Sequence, residues 1–297
     1  MRTEETLRPS LGCRLFDSCA KYWYRFSSNK LSVFGVVLFL IIILVAAFAP
    51  LIAPYPGHAR PFVDFKNANQ PPTLQHLFGT DRVGRDIFSR VLFGYRFSLL
   101  MAVIVLGISV PFGVTIGLVA GYYKGSWIDT LLMRFTDIFL SVPPLLLALM
   151  ITAVLKPNLI NSMIAITAMW WPLHARLLYG LSSSLSDEYF VVAEQVSGVR
   201  GRHILFVEIL PNCIGPILTK ITLDVGWVIL MGATLSFVGL GVQPPKPGLG
   251  TMVSAGAKDL PGVWWATVFP ALAIVLVVLS CNLIGDGLHD VFAVEEV

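Results

Sequence analysis

Few residues in this chain have the types and spacing that catalysis requires. The five histidines are scattered, and no His-Glu-x-x-His pair predicts a zinc site. The sequence also lacks a Gly-x-x-x-x-Gly-Lys-Ser/Thr loop for nucleotide phosphates and a Gly-x-Ser-x-Gly elbow for a nucleophilic serine. Its four cysteines are too widely spaced to suggest a disulfide or metal framework. We therefore predict no catalytic residue, no metal site and no cofactor bound by this chain, and a membrane-embedded enzyme stays open as an alternative.

The most informative polar residues lie in segment 182–211, between two long apolar runs. Residues 187–188 are acidic and suit a helix start, because the N-terminal end of a helix carries exposed N–H groups and positive dipole charge. We expect Gly198 to stop this helix and residues 204–210 to form a second short helix ended by Pro211. A charged helix–Gly–helix hairpin cannot lie in hydrocarbon. It should stand in water, where it can bind a soluble partner.

The elements that must position this hairpin are membrane-spanning helices. Hydrophobic residues make up 56% of the chain and charged residues 13%, with a mean hydropathy of +0.76, which is far outside the range of soluble domains. The net charge of +3 reflects basic residues that flank apolar runs, so we predict no nucleic-acid binding. A helix needs about 20 apolar residues to cross a bilayer. We predict an all-α membrane protein with six transmembrane helices, near residues 31–54, 97–123, 138–155, 157–175, 214–245 and 260–285.

Basic residues in the N-terminal tail, residues 1–30, predict that the chain starts in the cytoplasm. Six spans in the transmembrane domain, residues 31–290, then also place segment 182–211 and the tail 291–297 in the cytoplasm. The loop after the first span is basic too and argues for the opposite orientation, but the first helix usually dominates. The sequence thus predicts a multi-pass inner (plasma) membrane protein with both termini cytoplasmic.

A second structured segment, residues 77–96, precedes the second span. Gly79, Thr80 and Asp81 have the residue types of a turn followed by a helix cap. The apolar residues at 87, 88, 91, 92 and 95 share one helical face, which predicts an amphipathic helix lying in the plane of the interface. The segment is either a structural elbow that sets the start of the second span or a docking surface for an extracytoplasmic partner.

With these residues in view, the chain resembles the inner-membrane permease subunits of binding-protein-dependent ABC importers of the dipeptide/oligopeptide/nickel class. In that family a cytoplasmic loop with the pattern Glu-Ala-Ala, three residues, Gly, nine residues, Ile-x-Leu-Pro forms coupling helices that bind a groove of the ATPase. Val192, Glu194 and Glu208 depart from this pattern here. The resemblance implies coupling to the ATPase through eight residues: Ala193, Glu194, Gly198, Arg200, Arg202, Ile209, Leu210 and Pro211.

Three further segments resemble signatures of the same class: 77–90, 235–245 and 282–290. Leu249 stands where that class usually has a Trp-Gly pair, and the C-terminus lacks the usual Asp-Pro, which bears on substrate or partner identity. The first segment supplies an extracytoplasmic motif, which we define by six residues: Gly79, Thr80, Asp81, Gly84, Arg85 and Asp86.

The resemblance implies a transport subunit that works by alternating access and hydrolyses no ATP itself. Its expected partners are a second homologous permease subunit, two ATPase subunits that carry ATP and Mg, an extracytoplasmic substrate-binding protein and the lipid bilayer. The expected substrates are di- or oligopeptides. Nickel or another small solute is the alternative within the family, and an ion-coupled secondary transporter is the alternative from a different class.

Asp224 is the one acidic residue that the sequence places deep in a span, about 20 Å along the fifth helix from Pro211 at about 1.5 Å per residue. An ionised carboxylate at that depth should face a pore, a partner or an opposite charge. Lys220, four residues earlier on the same face, predicts an intrahelical pair. The alternative is that Asp224 lines the translocation cavity and attracts a cationic group.

Overall fold

The computed structural model describes residues 23–293, and this part of the chain is almost entirely helical. Its only bridge of β type, within the described range, joins Thr80 to Asp86. The expected all-α membrane fold is therefore confirmed. The helices of eight or more residues that the structure describes are α1 (Lys30–Ala47), α2 (Ile87–Tyr122), α3 (Trp127–Leu140), α4 (Pro144–Val154), α5 (Leu159–Leu185), α6 (Tyr189–Val196), α7 (Ile214–Phe237), α8 (Leu249–Ala257) and α9 (Trp265–Ala293).

Four of the described helices, α1, α2, α7 and α9, are long and apolar enough to cross a membrane. Helices α3 and α4 together make a fifth candidate, a pair bent by 80° at its break. Helix α5 has 27 residues, which is about 40 Å at about 1.5 Å per residue and thus long enough to cross a bilayer, although it is more polar. The six predicted spans correspond to these elements in chain order.

Helix α2 corrects the prediction of a separate interfacial helix before the second span. It runs without interruption over 36 residues from Ile87, whereas we expected the span to begin near residue 97. The apolar face that includes Ile87, Val91 and Tyr95 is buried in the protein instead of resting on lipid. Asp86 caps the helix, since its Oδ2 accepts a hydrogen bond of 2.7 Å from the Ser89 N–H.

The third and fourth spans also differ from the prediction. The span expected at 138–155 is broken between α3 and α4, where Pro143 and Pro144 lie next to each other. Proline lacks an N–H and disfavours helical geometry in the residue before it, so α3 cannot continue through this point. Helix α5 continues to Leu185, ten residues past the expected end at 175, because the residues after the span keep helical hydrogen bonding although they are polar.

The remaining spans differ at their ends. Helix α1 ends at Ala47, and a short helix, Ala49–Ile52, follows. Helix α7 ends at Phe237 instead of near 245, because Gly239, with φ +91°, forms a C-cap in which Leu240 N–H bonds to Leu235 O. Helix α9 spans Trp265–Ala293 instead of 260–285, so the expected tail cannot begin at 291. Residues 1–22 of the predicted N-terminal tail, and residues 294–297, lie outside the described residues.

A close contact in the core joins α2 to α5 through a stripe of glycines at every fourth position. A Cβ at Gly113 would lie 2.3 Å from the Trp171 carbonyl oxygen, and one at Gly117 would lie 2.2 Å from that of Ala175. Small residues let membrane helices approach this closely. At the next glycine of the stripe the same helices are joined by a hydrogen bond of 2.9 Å from Ser182 Oγ to Leu118 O. The helix that leads into the coupling hairpin is therefore fixed to α2 along several turns.

Candidate coupling segment and extracytoplasmic motif

The connection between α5 and α7, residues 186–213, contains the predicted hairpin, and we call it the coupling segment. Its main helix is α6, which begins at Tyr189 rather than at 187–188, and Glu188 precedes it without a side-chain capping hydrogen bond. After α6 come a helical turn at Gly201–His203 and a π-helical turn at Ile204–Ile209.

Gly198 ends α6 as the sequence predicts. Its φ is +76°, a conformation that only glycine adopts readily. Gly198 N–H bonds to Gln195 O, and Val199 N–H bonds to Glu194 O, which is the pair of hydrogen bonds of a Schellman C-cap. No atom lies within 4 Å of a Cβ built at Gly198, so the backbone conformation alone, and not crowding, requires glycine here.

The second half of the coupling segment corrects the prediction of a short helix ended by Pro211. Pro211 instead lies inside a short helix, Leu210–Asn212, that continues the π-helical turn towards α7. Because proline has no N–H to donate, one α-helical hydrogen bond is missing at Pro211, directly after the π-helical turn. The segment therefore enters α7 with only a brief interruption at Cys213.

The eight residues implied to couple to the ATPase differ in their exposure. Five are exposed, Glu194 and Leu210 are half-buried, and Ile209 is fully buried at 0% exposure. Ile209 thus cannot touch a docked partner directly, and it anchors the segment to the membrane domain. The exposed members are Ala193, Gly198, Arg200, Arg202 and Pro211.

Helix α6 also presents apolar side chains to solvent, which the sequence pattern alone did not single out as exposed. Tyr189 is 92% exposed and Val196 is 83% exposed, while Val191 on the opposite side is fully buried. Large apolar side chains on a surface that is otherwise charged are typical of a site that binds another protein. The surface of α6 therefore combines an apolar face with the charges of Glu194 and Arg200.

The coupling segment rests on the turn between α2 and α3. Lys124 Nζ lies 3.0 Å from Asp187 Oδ2, and a Cβ at Gly201 would lie 3.3 Å from the Tyr123 hydroxyl. Below these contacts, Ile204 joins Ile209 in the core. The segment is thus held from beneath by apolar contacts and keeps its outer surface free.

The extracytoplasmic motif has the opposite character, since its polar groups bond to one another inside the protein. Thr80 is fully buried, and its Oγ1 donates to Asn67 O and accepts from Gln70 N–H at 2.6 and 2.8 Å. Asp81 accepts from Arg85 twice, through the backbone N–H at 2.9 Å and through Nε at 2.8 Å. These bonds fold the motif into one compact loop.

The motif's glycines allow that loop to pack closely. Gly79 has φ +71°, and a Cβ there would lie 2.7 Å from the Trp265 ring. Gly84 has φ +79°, and its Cβ would lie 1.9 Å from Asp64 O. The same Trp265 ring donates a hydrogen bond of 3.1 Å from Nε1 to Thr80 O, which joins the motif to the start of α9. Both glycines are therefore required by backbone geometry.

Asp86 joins the motif to two histidines that sequence reasoning missed. Its Oδ1 lies 3.0 Å from His76 Nδ1, and its backbone N–H donates to His58 Nδ1 at 2.9 Å. His58 must be unprotonated at Nδ1 to accept this bond. Burial, opposed by the carboxylate of Asp86, lowers the pKa of His58 below its ordinary value of 6.5, which favours this neutral form. Because the two histidines lie far from Asp86 in the sequence, no spacing pattern could have identified them.

Arg90 fixes the start of α2 to the connection that follows α7. It is 4% exposed, and its Nη1 donates to His58 O at 3.0 Å and to Pro245 O at 3.4 Å. Its Nε lies 4.0 Å from Asp81 Oδ2. The motif also forms one wall of a cavity of about 610 Å³, whose opposite wall includes residues of α8. The motif therefore fixes the start of α2 to neighbouring loops, and its roles as a structural elbow or as a docking surface stay predictions.

Asp224 lies where the sequence places it, inside α7, and is fully buried. Lys220 Nζ lies 2.6 Å from its Oδ1, so the predicted intrahelical pair is present. His174 on α5, also fully buried, brings its Nε2 to 3.3 Å from Oδ2, a neighbour that sequence reasoning missed. The three side chains link the helix that precedes the coupling segment to the helix that follows it.

Comparison with known proteins identifies the family of this fold. Residues 113–294 match the family described as binding-protein-dependent transport system inner membrane component. Residues 20–72 match a second family, the N-terminal TM domain of oligopeptide transport permease C.

Characterised relatives match along most of the chain. The dipeptide transport system permease protein DppC of Alkalihalophilus pseudofirmus is 42% identical over 88% of this chain and 85% of its own length. The di/tripeptide transport system permease protein DppC of Pseudomonas aeruginosa is 39% identical over 91% and 90%. The glutathione transport system permease protein GsiD of Escherichia coli is 40% identical over 91% and 88%.

A solved structure of the MetNI methionine ABC transporter in inward-facing conformations has the same fold, with a TM-score of 0.56 and 17% identity. The match covers 67% of this chain and 94% of the matched chain. Because the family match extends over more than half of the sequence and the relatives cover most of it, this chain belongs to the binding-protein-dependent transport system inner membrane components.

Proposed function

We propose that this chain is the permease subunit of an ATP-driven ABC importer that moves di- or oligopeptides across the inner membrane by alternating access. The observation that carries the coupling part of this proposal is the surface of α6. It exposes Tyr189 and Val196, and a Schellman cap at Gly198 stops it abruptly. The relatives named for dipeptides and for di- and tripeptides support the substrate class.

The proposed partners are a second homologous permease subunit, two ATPase subunits and an extracytoplasmic substrate-binding protein. ATP and Mg bind the ATPases, and this chain hydrolyses no ATP. When the ATPases close on ATP they move α6, and the anchors beneath it pass this movement to α5 and α7. A rigid segment is needed because a flexible loop would absorb the displacement instead of transmitting it.

The proposed orientation places both termini and the coupling segment in the cytoplasm. The basic tail, residues 1–30, supports it. The extracytoplasmic motif then lies on the opposite side of the membrane, at the start of α2. A reporter enzyme fused after residue 297 should be active in the cytoplasm, and activity only outside the membrane would contradict this orientation.

The experiment that tests the substrate class is uptake by the complete transporter, produced with its partner subunits in cells that lack other peptide importers. We expect uptake of radiolabelled Ala-Ala that depends on the binding protein and stops when the ATPases are inactivated. Nickel uptake under the same conditions would favour the alternative substrate. Uptake of Ala-Ala that continues without the ATPases and follows an ion gradient would identify a secondary transporter.

The pairing of Asp224 with Lys220 favours the importer, because the carboxylate already has an internal counter-charge.

A further inference from the structure

An ion pair between Asp137 on α3 and Arg176 on α5 lies within the membrane-spanning part of the protein, yet each side chain is nearly half exposed. The exposed fractions are 41% for Asp137 and 48% for Arg176. Arg176 lies nine residues before the end of α5, and Asp137 lies ten residues after the start of α3. At about 1.5 Å per residue, both are about 13–15 Å inside the helix ends next to the coupling segment.

A bilayer centred on α5 places the pair in the hydrocarbon region. The hydrocarbon core is about 30 Å thick, so a helix about 40 Å long extends roughly 5 Å beyond it on each side. Charged side chains at such a depth are costly in lipid, and they face a water-filled cavity or another protein. The exposed side of Asp137 and Arg176 is therefore not a lipid-facing surface.

The helix break next to Asp137 is a second feature that needs a polar or protein-covered surrounding. Helix α3 ends at Leu140, and the chain turns by 80° before α4 begins at Pro144. Ser141 and Pro143, in this break, are exposed. Non-helical backbone at membrane depth is tolerated where it lines a cavity or is covered by protein, because its polar groups need partners.

An aromatic cluster joins the same two helices. Phe135 and Phe139 of α3 pack on Trp171 of α5, with ring centroids 5.6 and 5.2 Å apart. Phe135 is itself exposed. The two helices thus carry an ion pair and, at Phe135, an exposed aromatic ring.

We propose that the Asp137–Arg176 pair lines the path of the transported molecule and binds the two charged ends of a peptide. The carboxylate of the peptide binds Arg176, whose planar guanidinium matches carboxylate geometry, and the ammonium group binds Asp137. The exposed ring of Phe135 contacts peptide side chains without selecting a sequence. In the empty path the two residues neutralise each other. This inference rests on the proposed peptide substrate.

The first test neutralises each charge in the complete transporter, reconstituted in proteoliposomes with binding protein saturated by radiolabelled Ala-Ala. Asp137→Asn and Arg176→Gln should each lower the transport rate about tenfold or more, the effect expected from the loss of a hydrogen bond to a charged group. Assembly with the partner subunits should persist. Lys156→Gln, which removes an exposed cation between α4 and α5, should transport like the wild type.

The double variant Asp137→Asn/Arg176→Gln separates peptide binding from a purely structural bridge. A bridge between helices would be relieved by removing both charges, so the double variant would then transport close to the wild-type rate, and the inference would be overturned. If the pair binds peptide, the double variant transports no better than either single variant. Failure of the wild-type protein to transport Ala-Ala would instead contradict the proposed function.

A cysteine test checks the aqueous path without using peptide. In protein whose four native cysteines are serine, Asp137→Cys and Arg176→Cys should react with a cationic, membrane-impermeant methanethiosulfonate. Val103→Cys, on an exposed apolar position of α2, should not react, because a thiol facing lipid stays protonated. Absence of labelling at 137 and 176, with cross-linking to the second permease subunit instead, would overturn the inference and identify a subunit interface.

Discussion

The coupling segment and the extracytoplasmic motif are both polar interruptions of an apolar chain. The motif buries its polar side chains, whereas the coupling segment exposes them. The polar groups of the motif, such as Thr80 and Asp86, are buried and form hydrogen bonds inside the protein. The coupling segment buries apolar anchors, such as Ile204, and exposes polar and aromatic side chains. The first arrangement fixes the protein's own backbone, and the second leaves a surface free for a partner.

This difference predicts how each region fails when it is changed. Substitutions in the motif remove internal hydrogen bonds and should therefore lower the stability of the protein. Substitutions on the outer face of α6 remove no internal contact and should therefore affect transport alone. The predictions that follow test this division, in order of decreasing effect.

Asp86→Ala should cause the largest loss of stability. The variant loses the cap of α2 and leaves His76 without its carboxylate partner, and breaking such a buried charged contact costs about 3 kcal/mol or more. We expect little protein in the membrane and a strongly lowered Tm in detergent. Asp187→Ala is the matched control, because it removes an exposed pair with Lys124 that contributes about 0–1 kcal/mol. An equal Tm for both variants would contradict the division.

Gly198→Val should abolish ATP-driven uptake while the protein still reaches the membrane. A β-branched residue is strained at φ +76°, so the C-cap of α6 should open and the segment should lose its rigidity. Gly180→Val is the control. A Cβ at Gly180 in α5 would likewise meet no atom within 4 Å, but the φ of Gly180 is not positive. Normal uptake by Gly198→Val would show that the C-cap at Gly198 is not needed for coupling.

Acidification should destabilise the extracytoplasmic motif through His58. Because the folded pKa of His58 is lowered by burial, its stabilising contribution is complete above the unfolded value of about 6.5 and is lost as the pH falls through the folded pKa. Protonation removes the acceptor for the Asp86 N–H. Tm should fall between pH 7.5 and 5, and less so in His58→Asn, which keeps an acceptor that does not titrate. Identical pH profiles of Tm for the wild type and His58→Asn would exclude His58 as the titrating group.

Reversing the charge of arginines on the coupling segment should have the smallest effect of these changes. Arg200→Glu with Arg202→Glu should weaken retention of the ATPase subunits during purification. The effect should be small, because each exposed ion pair contributes only about 0–1 kcal/mol. The Tm of the isolated permease should not change, since both arginines are exposed. Full ATPase stoichiometry in the double variant would show that these residues are not contacts.

The sequence predicted the features that depend on neighbouring residues. The helix stop at Gly198 follows from the absence of a Cβ, and the Lys220–Asp224 pair follows from helical spacing. The all-α membrane fold follows from composition. Each of these needs only a few consecutive positions to specify it.

Features that depend on distant contacts were missed. The contacts of His58 with Asp86 and of His174 with Asp224 join residues far apart in the chain, and no local pattern marks them. The interfacial helix expected at residues 87–95 proved to be the first part of α2, because its apolar face meets protein instead of lipid. Periodicity shows that a helix has an apolar face but not what covers that face.

Disulfide cross-linking between the coupling segment and an ATPase subunit tests most directly the claim that the outer face of α6 is the coupling surface. Single cysteines would replace the exposed Ala193 and the buried Ile209 in a transporter otherwise free of cysteine, paired with cysteines placed around the groove of the ATPase. We predict that Ala193→Cys cross-links to the ATPase with a yield that changes on ATP binding, whereas Ile209→Cys does not cross-link. Cross-linking only from position 209, or none from 193 in a transporter that remains active, would contradict this account.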